Sequence, residues 1–126
     1  KLTEHSFSSS VRIDAYDAAG FMVGGQAHAG ALLVTPAAAQ PWPFATLEAH
    51  DAAAMTSLLD HAPALVLFGT GARQRFPAAS VLRPLLEAGV GCEVMDTGAA
   101  CRTFNLLAAE GRQVVAVLLP LQAVSR

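Results

Sequence analysis

Between Leu65 and Leu119 three short apolar runs alternate with two stretches of helical periodicity, and few architectures accommodate that order. The runs are Ala64–Phe68, Cys92–Met95 and Val114–Leu119. The first is continuously apolar, as a strand covered on both faces must be. Right-handed crossovers make the three strands mutually parallel, so their C-terminal ends share one edge of a sheet. The first two runs end in Gly69-Thr70-Gly71 and Asp96-Thr97-Gly98, where backbone and small side chains can meet a ligand or a partner.

The intervening helices follow from apolar spacing. Val81, Leu82, Leu85 and Leu86 form one expected buried stripe on a helix over 79–88, stopped by Gly89. Pro84 lies deep in that helix and predicts an irregular or 3₁₀ first turn. The second helix starts at Asp96 or Thr97, either of which can cap it, and runs to about Glu110 before Gly111. Phe104, Leu107 and Ala108 give its apolar face.

Upstream, Val11, Ile13 and Ala15 alternate with polar residues, which predicts a strand over 9–16. Asp17-Ala18-Ala19-Gly20 is the turn, and Phe21-Met22-Val23 the return strand of a hairpin. Extended structure resumes at Gln26-Ala27-His28 and at Ala31–Thr35, with a bulge or close backbone contact at Gly30. Pro41 and Pro43 around Trp42 predict an ordered loop over 37–44, with the indole as a core plug or a stacking surface. Asp51 caps a helix over 52–60 that buries Met55, Leu58 and Leu59 and ends at His61-Ala62-Pro63. The expected fold is α/β: a three-layer single domain spanning residues 1–126, with a mixed central sheet and an N-terminal β-hairpin extending beyond it. Residues 1–8 are polar and expected to be mobile.

Charge and composition exclude several functions. Net charge is −2 with no basic run, so the electrostatic footprint of a nucleic-acid binder is missing. Hydrophobic residues make up 53% and charged ones 14%, which excludes disorder. No apolar stretch reaches the roughly 20 residues of an integral membrane segment. Lys1-Leu2-Thr3-Glu4-His5 has neither the apolar run of a signal peptide nor the Arg-rich pattern of a mitochondrial leader. The expected location is the bacterial cytoplasm, with Cys92 and Cys101 as two free thiols.

Chemistry-bearing constellations are few. Gly69-Thr70-Gly71 follows a strand, yet no G-x-G-x-x-G completes it and the only lysine is Lys1. A tight turn needing positive φ is the favoured reading. The helix start at Thr97 offers free N–H groups to a small anion, with Arg102 one turn in and Asn105 on the same stripe. Cys101 lies near that start, where the helix dipole lowers a thiol pKa, but no histidine spacing supplies it with a base. No Cys/His set suggests a metal, and no fingerprint suggests a cofactor. No catalytic residue is assigned.

The run Glu93-Val94-Met95-Asp96-Thr97-Gly98-Ala99-Ala100-Cys101-Arg102-Thr103-Phe104-Asn105-Leu106-Leu107, then Glu110-Gly111-Arg112, forms a pattern with Gly69-Thr70-Gly71. It resembles a small family of α/β domains of unknown function that includes mitochondrial complex I assembly factor 3. The resemblance extends more loosely through Gly30–Pro36 and Trp42. It implies a three-layer fold with a mixed sheet and a projecting hairpin. It further implies a non-enzymatic helper that binds an unidentified protein partner during assembly of a membrane or respiratory complex. The alternative from the residues alone is a small-anion binder or enzyme. Either would use a surface of Gly69, Thr70, Gly71, Asp96, Thr97, Gly98, Arg102 and Asn105. Oligomeric state leaves no signal in the sequence.

Overall fold

A computed structural model describes residues 10–121. The expected mobile stretch 1–8 and the tail beyond Leu121 lie outside the described residues. Eight strands form two sheets. Strands β1 (Ile13–Tyr16), β2 (Gly20–Val23) and β3 (Gln26–Ala29) make a three-stranded antiparallel sheet. Strands β4 (Leu32–Val34), β5 (Ala39–Pro41), β6 (Leu65–Gly69), β7 (Gly91–Met95) and β8 (Val114–Leu118) form the second, in the order β5-β4-β8-β6-β7. Strands β6, β7 and β8 are parallel, as right-handed crossovers require, whereas β4 runs antiparallel to β8. The central sheet is thus mixed. The hairpin does not join it and gains β3 as a third strand instead.

Three helices complete the layers: α1 (Ala52–Thr56), α2 (Ala79–Glu87) and α3 (Thr97–Ala109). Strand alternation divides the core into two slabs. Leu33, Val66, Phe68, Val115 and Val117 face Met55 on α1, Leu58 just after it and Leu85 on α2. Leu32, Val34, Leu67, Ala116 and Leu118 face Ala100, Cys101, Phe104 and Ala108 on α3, together with Ile13, Phe21 and Val23 of the small sheet. Every residue of β8 is buried, as befits a strand with neighbours on both sides and layers on both faces.

Local chemistry explains where the elements depart from the periodic reading. Residues 37–44 are not all loop, because β5 pairs Ala39, Gln40 and Pro41 with β4. The inward amides there are those of Ala38 and Trp42, which donate to Thr35 and Ala31. Pro41 therefore stands where an N–H would face outward, and the edge tolerates it. Helix α1 ends at Thr56 and continues as a 3₁₀ turn over Ser57–His61, stopped by Ala62 at φ +51°. Around Pro84, α2 stays α-helical from Ala79, since the carbonyl that loses its donor belongs to exposed Ser80. Leu86, expected in the buried stripe, is 65% exposed, and Leu85 carries the contact with Val81 and Leu82 partly buried beside it.

Trp42 is a core plug. Its indole N–H donates to His50 Nε2 at 2.9 Å, which fixes His50 as the tautomer protonated on Nδ1, 2.9 Å from the Thr46 carbonyl. His50 packs on Phe68 at 4.9 Å between ring centroids. Burial pushes its pKa down, against the hydrogen bonds to Thr46 and Leu47 that favour the charged form. The unfolded chain therefore takes up this proton first as pH falls. The stability linked to His50 is complete above the ordinary histidine range and is lost as pH drops through the lowered folded pKa. Urea unfolding followed by Trp42, the only tryptophan, should show stability falling from about pH 7 to about pH 5. In His50→Gln that slope should flatten; an equal slope in both proteins would refute the assignment.

Candidate functional site

The parallel register aligns the ends of three strands, pairing Gly69 with both Met95 and Leu118. From there the chain interlocks. Thr70 N–H donates to the Met95 carbonyl at 2.9 Å, and Thr97 N–H to the Gly71 carbonyl at 2.8 Å. Thr97 Oγ1 accepts from Gly71 N–H at 2.8 Å and donates to the Leu119 carbonyl at 2.6 Å. Leu119 N–H closes the circuit on Gly69 O at 2.9 Å. One fully buried hydroxyl therefore ties together the loop after β6, the start of α3 and the segment after β8.

Glycine is required at two of these positions. Gly71 has φ +101°, a region other residues rarely enter. A Cβ on Gly69 would lie 3.0 Å from Thr97 Cα and 3.1 Å from Ala100 Cβ, so helix and strand approach to backbone distance there.

Asp96, not Thr97, caps α3: its Oδ1 accepts from Ala99 N–H at 2.8 Å. A carboxylate of the chain itself thus sits where an anion would bind, and its charge opposes a second one. Thr70 is turned the other way. Its hydroxyl donates to Arg73 O at 2.8 Å and accepts from Arg75 N–H at 3.1 Å, pinning the following loop. That loop also fastens to β7 through Gln74 Nε2 and Val94 O, and to Glu48 through the Arg75 guanidinium. Phe76 emerges from it 69% exposed.

Gly98, Arg102 and Asn105 face β1 rather than the Gly69–Gly71 loop. Gly98 lies against Tyr16, whose hydroxyl would be 2.6 Å from an added Cβ. Arg102 Nη1 donates to that hydroxyl at 3.2 Å. Asn105 acts as a surrogate strand: Oδ1 accepts from Ile13 N–H at 2.8 Å and Nδ2 donates to Ile13 O at 2.9 Å. The eight sequence-derived residues thus divide into a buried junction around Thr97 and an outer ridge along α3. Sequence reasoning anticipated Trp42 as a core plug but missed its partner His50, and missed Tyr16 and Gln74, none of the three belonging to a motif.

Burial pushes the Cys101 thiol up to about 12 and the Cys92 thiol up to about 11. At Cys101 it outweighs the helix start, which was expected to lower the pKa, and neither sulfur is nucleophilic at neutral pH. Among the described residues no three His, Cys, Asp or Glu side chains gather to hold a metal, and no helix is long and apolar enough to cross a membrane.

The chain is similar to the human protein "NADH dehydrogenase [ubiquinone] 1 alpha subcomplex assembly factor 3", at 31% identity over 121 residues, covering 94% of this chain and 66% of that one. Across the human, rat and bovine proteins of that name it spans 60% to 66% of the relative's length. An uncharacterized protein of Rhodobacter capsulatus is 36% identical over 118 residues, with 94% of this chain and 91% of the relative covered. A crystal structure of a Bordetella parapertussis protein superposes with a TM-score of 0.83 at 36% identity, covering 90% of this chain and 98% of that one. With the family profile matching residues 13–119, the chain belongs to the family described as "Protein of unknown function (DUF498/DUF598)", which bears out the resemblance drawn from the Glu93–Arg112 pattern.

Proposed function

We propose that this chain is a non-catalytic protein-interaction domain of the assembly-factor kind, acting on a partner during construction of a membrane or respiratory complex. The observation that carries this reading is the similarity to the human assembly factor across 94% of the chain. Local chemistry agrees with it. The polar groups of the Gly69–Gly71 and Thr97 junction are spent on one another, and no side chain there is left as base or nucleophile. Gly69, Thr70, Gly71, Thr97 and Gly98 are then the buried skeleton of the partner surface. Asp96, Arg102 and Asn105 frame it. Anion binding at the Thr97 helix start is the weaker reading, because Asp96 holds that position.

Affinity capture with the tagged protein from native extract, read by mass spectrometry, tests the proposal. A partner from a membrane or respiratory complex should be retained by the parent. Arg102→Glu, which reverses a charge on the exposed ridge, should reduce its recovery about tenfold or more. Recovery unchanged in Arg102→Glu removes the ridge from the interface. A dose-dependent rise in Tm with sulfate or phosphate, abolished by Arg102→Ala, would restore the anion reading.

A further inference from the structure

A sheet has two ends, and two sheets give four edges on which backbone N–H and C=O groups are left unpaired. Three of the four carry a device that closes them. On β1 the Asn105 amide occupies both polar groups of Ile13. On β5 the outward positions are Ala39 and Pro41, and Pro41 has no N–H to offer, which leaves a single outward amide. On β7 the Gln74 side chain covers the Val94 carbonyl.

Among the described residues the edge of β3 has none of these. Gly24 and Gly25, at φ +56° and +82°, make the two-residue turn between β2 and β3, so Val23 and Gln26 exchange both backbone bonds. The alternation of an antiparallel ladder then directs His28 toward β2 and turns Ala27 and Ala29 outward. Gly30 confirms this phase, its N–H donating back to Ala19 O at 3.0 Å. Among the described residues nothing pairs with the N–H and C=O groups of Ala27 and Ala29. Neither carries a side chain that would obstruct an incoming strand, and Gln26-Ala27-His28-Ala29 contains neither the charge nor the proline that commonly guards an edge.

Beside this edge the small sheet curves into an open groove of about 290 Å³. Its lining includes Ala15, Gly20, Met22, Ala27 and Ala29, all small except Met22, which is 38% exposed, with Asp17 and His28 as polar members. The solvent face of an antiparallel sheet ordinarily carries polar side chains. Here an unguarded ladder and an apolar groove lie side by side. Strand addition uses that pairing: backbone bonds give affinity, and a pocket for alternate side chains gives specificity.

We propose that the free edge of β3 is a strand-addition site that takes an extended segment of a partner protein, with a large apolar side chain of that segment seated in the groove. One observation favours a different protein over a second copy of this chain. The β3 strand of a second copy presents only Gln, Ala, His and Ala, with no large apolar side chain to fill the groove. Tyr16 borders both the groove and the α3 ridge, so protection of Ala27 and Ala29, which touch neither Arg102 nor Gly98, is the readout that separates this test from that of Arg102→Glu.

The probe is a library of random dodecapeptides displayed on phage, selected against the whole chain, with enriched peptides synthesised and titrated. Enriched sequences should share one large apolar residue flanked by β-formers, with proline excluded from the paired positions. At saturation, amide exchange should slow about tenfold or more at Ala27 and Ala29, and far less at Gln26 and His28, which are already paired. Ala27→Pro removes an outward N–H without touching the β2 pairing, and should weaken binding about tenfold or more at unchanged Tm. Ala27→Glu keeps the backbone and places a charge beside the groove; it should weaken binding as well, and serves if the proline variant fails to fold. No enriched peptide, peptides whose shifts map to Gly71 and Thr97, or sedimentation showing self-association through β3 would each overturn the proposal.

Discussion

Thr97→Val should lose about 2–5 kcal/mol of unfolding free energy, although it replaces one methyl-sized group with another. The hydroxyl it removes is fully buried and serves two backbone groups on different segments, the Gly71 N–H and the Leu119 carbonyl. Valine leaves both in place with no water to replace the lost partner, and each such orphan costs about 1–3 kcal/mol. Thr97→Ser keeps both bonds and gives up only a buried methyl, about 1 kcal/mol. Urea melts read by Trp42 fluorescence distinguish the two. Should the valine variant fall within about 1 kcal/mol of the parent, the hydroxyl is not the tie described above.

Asn105→Leu is expected to cost about 2 kcal/mol, and to do so in one place. Leucine matches the size and suits a helix, so α3 itself should persist. What disappears is the pair of bonds to Ile13, hence the closure of β1 against the helix. Amide exchange at Ile13 should accelerate sharply while the β4–β8 ladder keeps its protection. Asn105→Asp sharpens the test. It retains an acceptor for the Ile13 N–H but sets an oxygen against the Ile13 carbonyl, so it too should destabilise. Equal protection at Ile13 in all three proteins would show that the small sheet docks by apolar contact alone.

These two residues also mark how far the sequence could be read. Periodicity found β6, α2, β7, α3 and β8, because each buries a face whose spacing is written in consecutive residues. Asp96 and Thr97 were equivalent as caps on local grounds. Only the arrival of Gly71 and Leu119 from other segments decides that Asp96 caps while Thr97 ties. Asn105 was legible as a polar residue in an apolar run, but its partner stands 92 residues earlier. Pro41 hid β5 because its cost depends on which side of the strand faces out, a property of the sheet and not of the dipeptide. Leu86 shows the reverse error. The apolar stripe on α2 is wider than the surface available to cover it, so the outermost leucine stays exposed.

The position of β8 has a consequence for how the protein comes into being. It is the last described strand in sequence and stands between β4 and β6 in space. Until residues 114–119 leave the ribosome, β4 and β6 cannot share a sheet, and the two core slabs have no common wall. The nascent chain must therefore hold long stretches of alanine, leucine and valine in waiting, to be resolved in one late, long-range closure. A chain similar to proteins named as assembly factors thus completes its own two-slab core through one long-range closure.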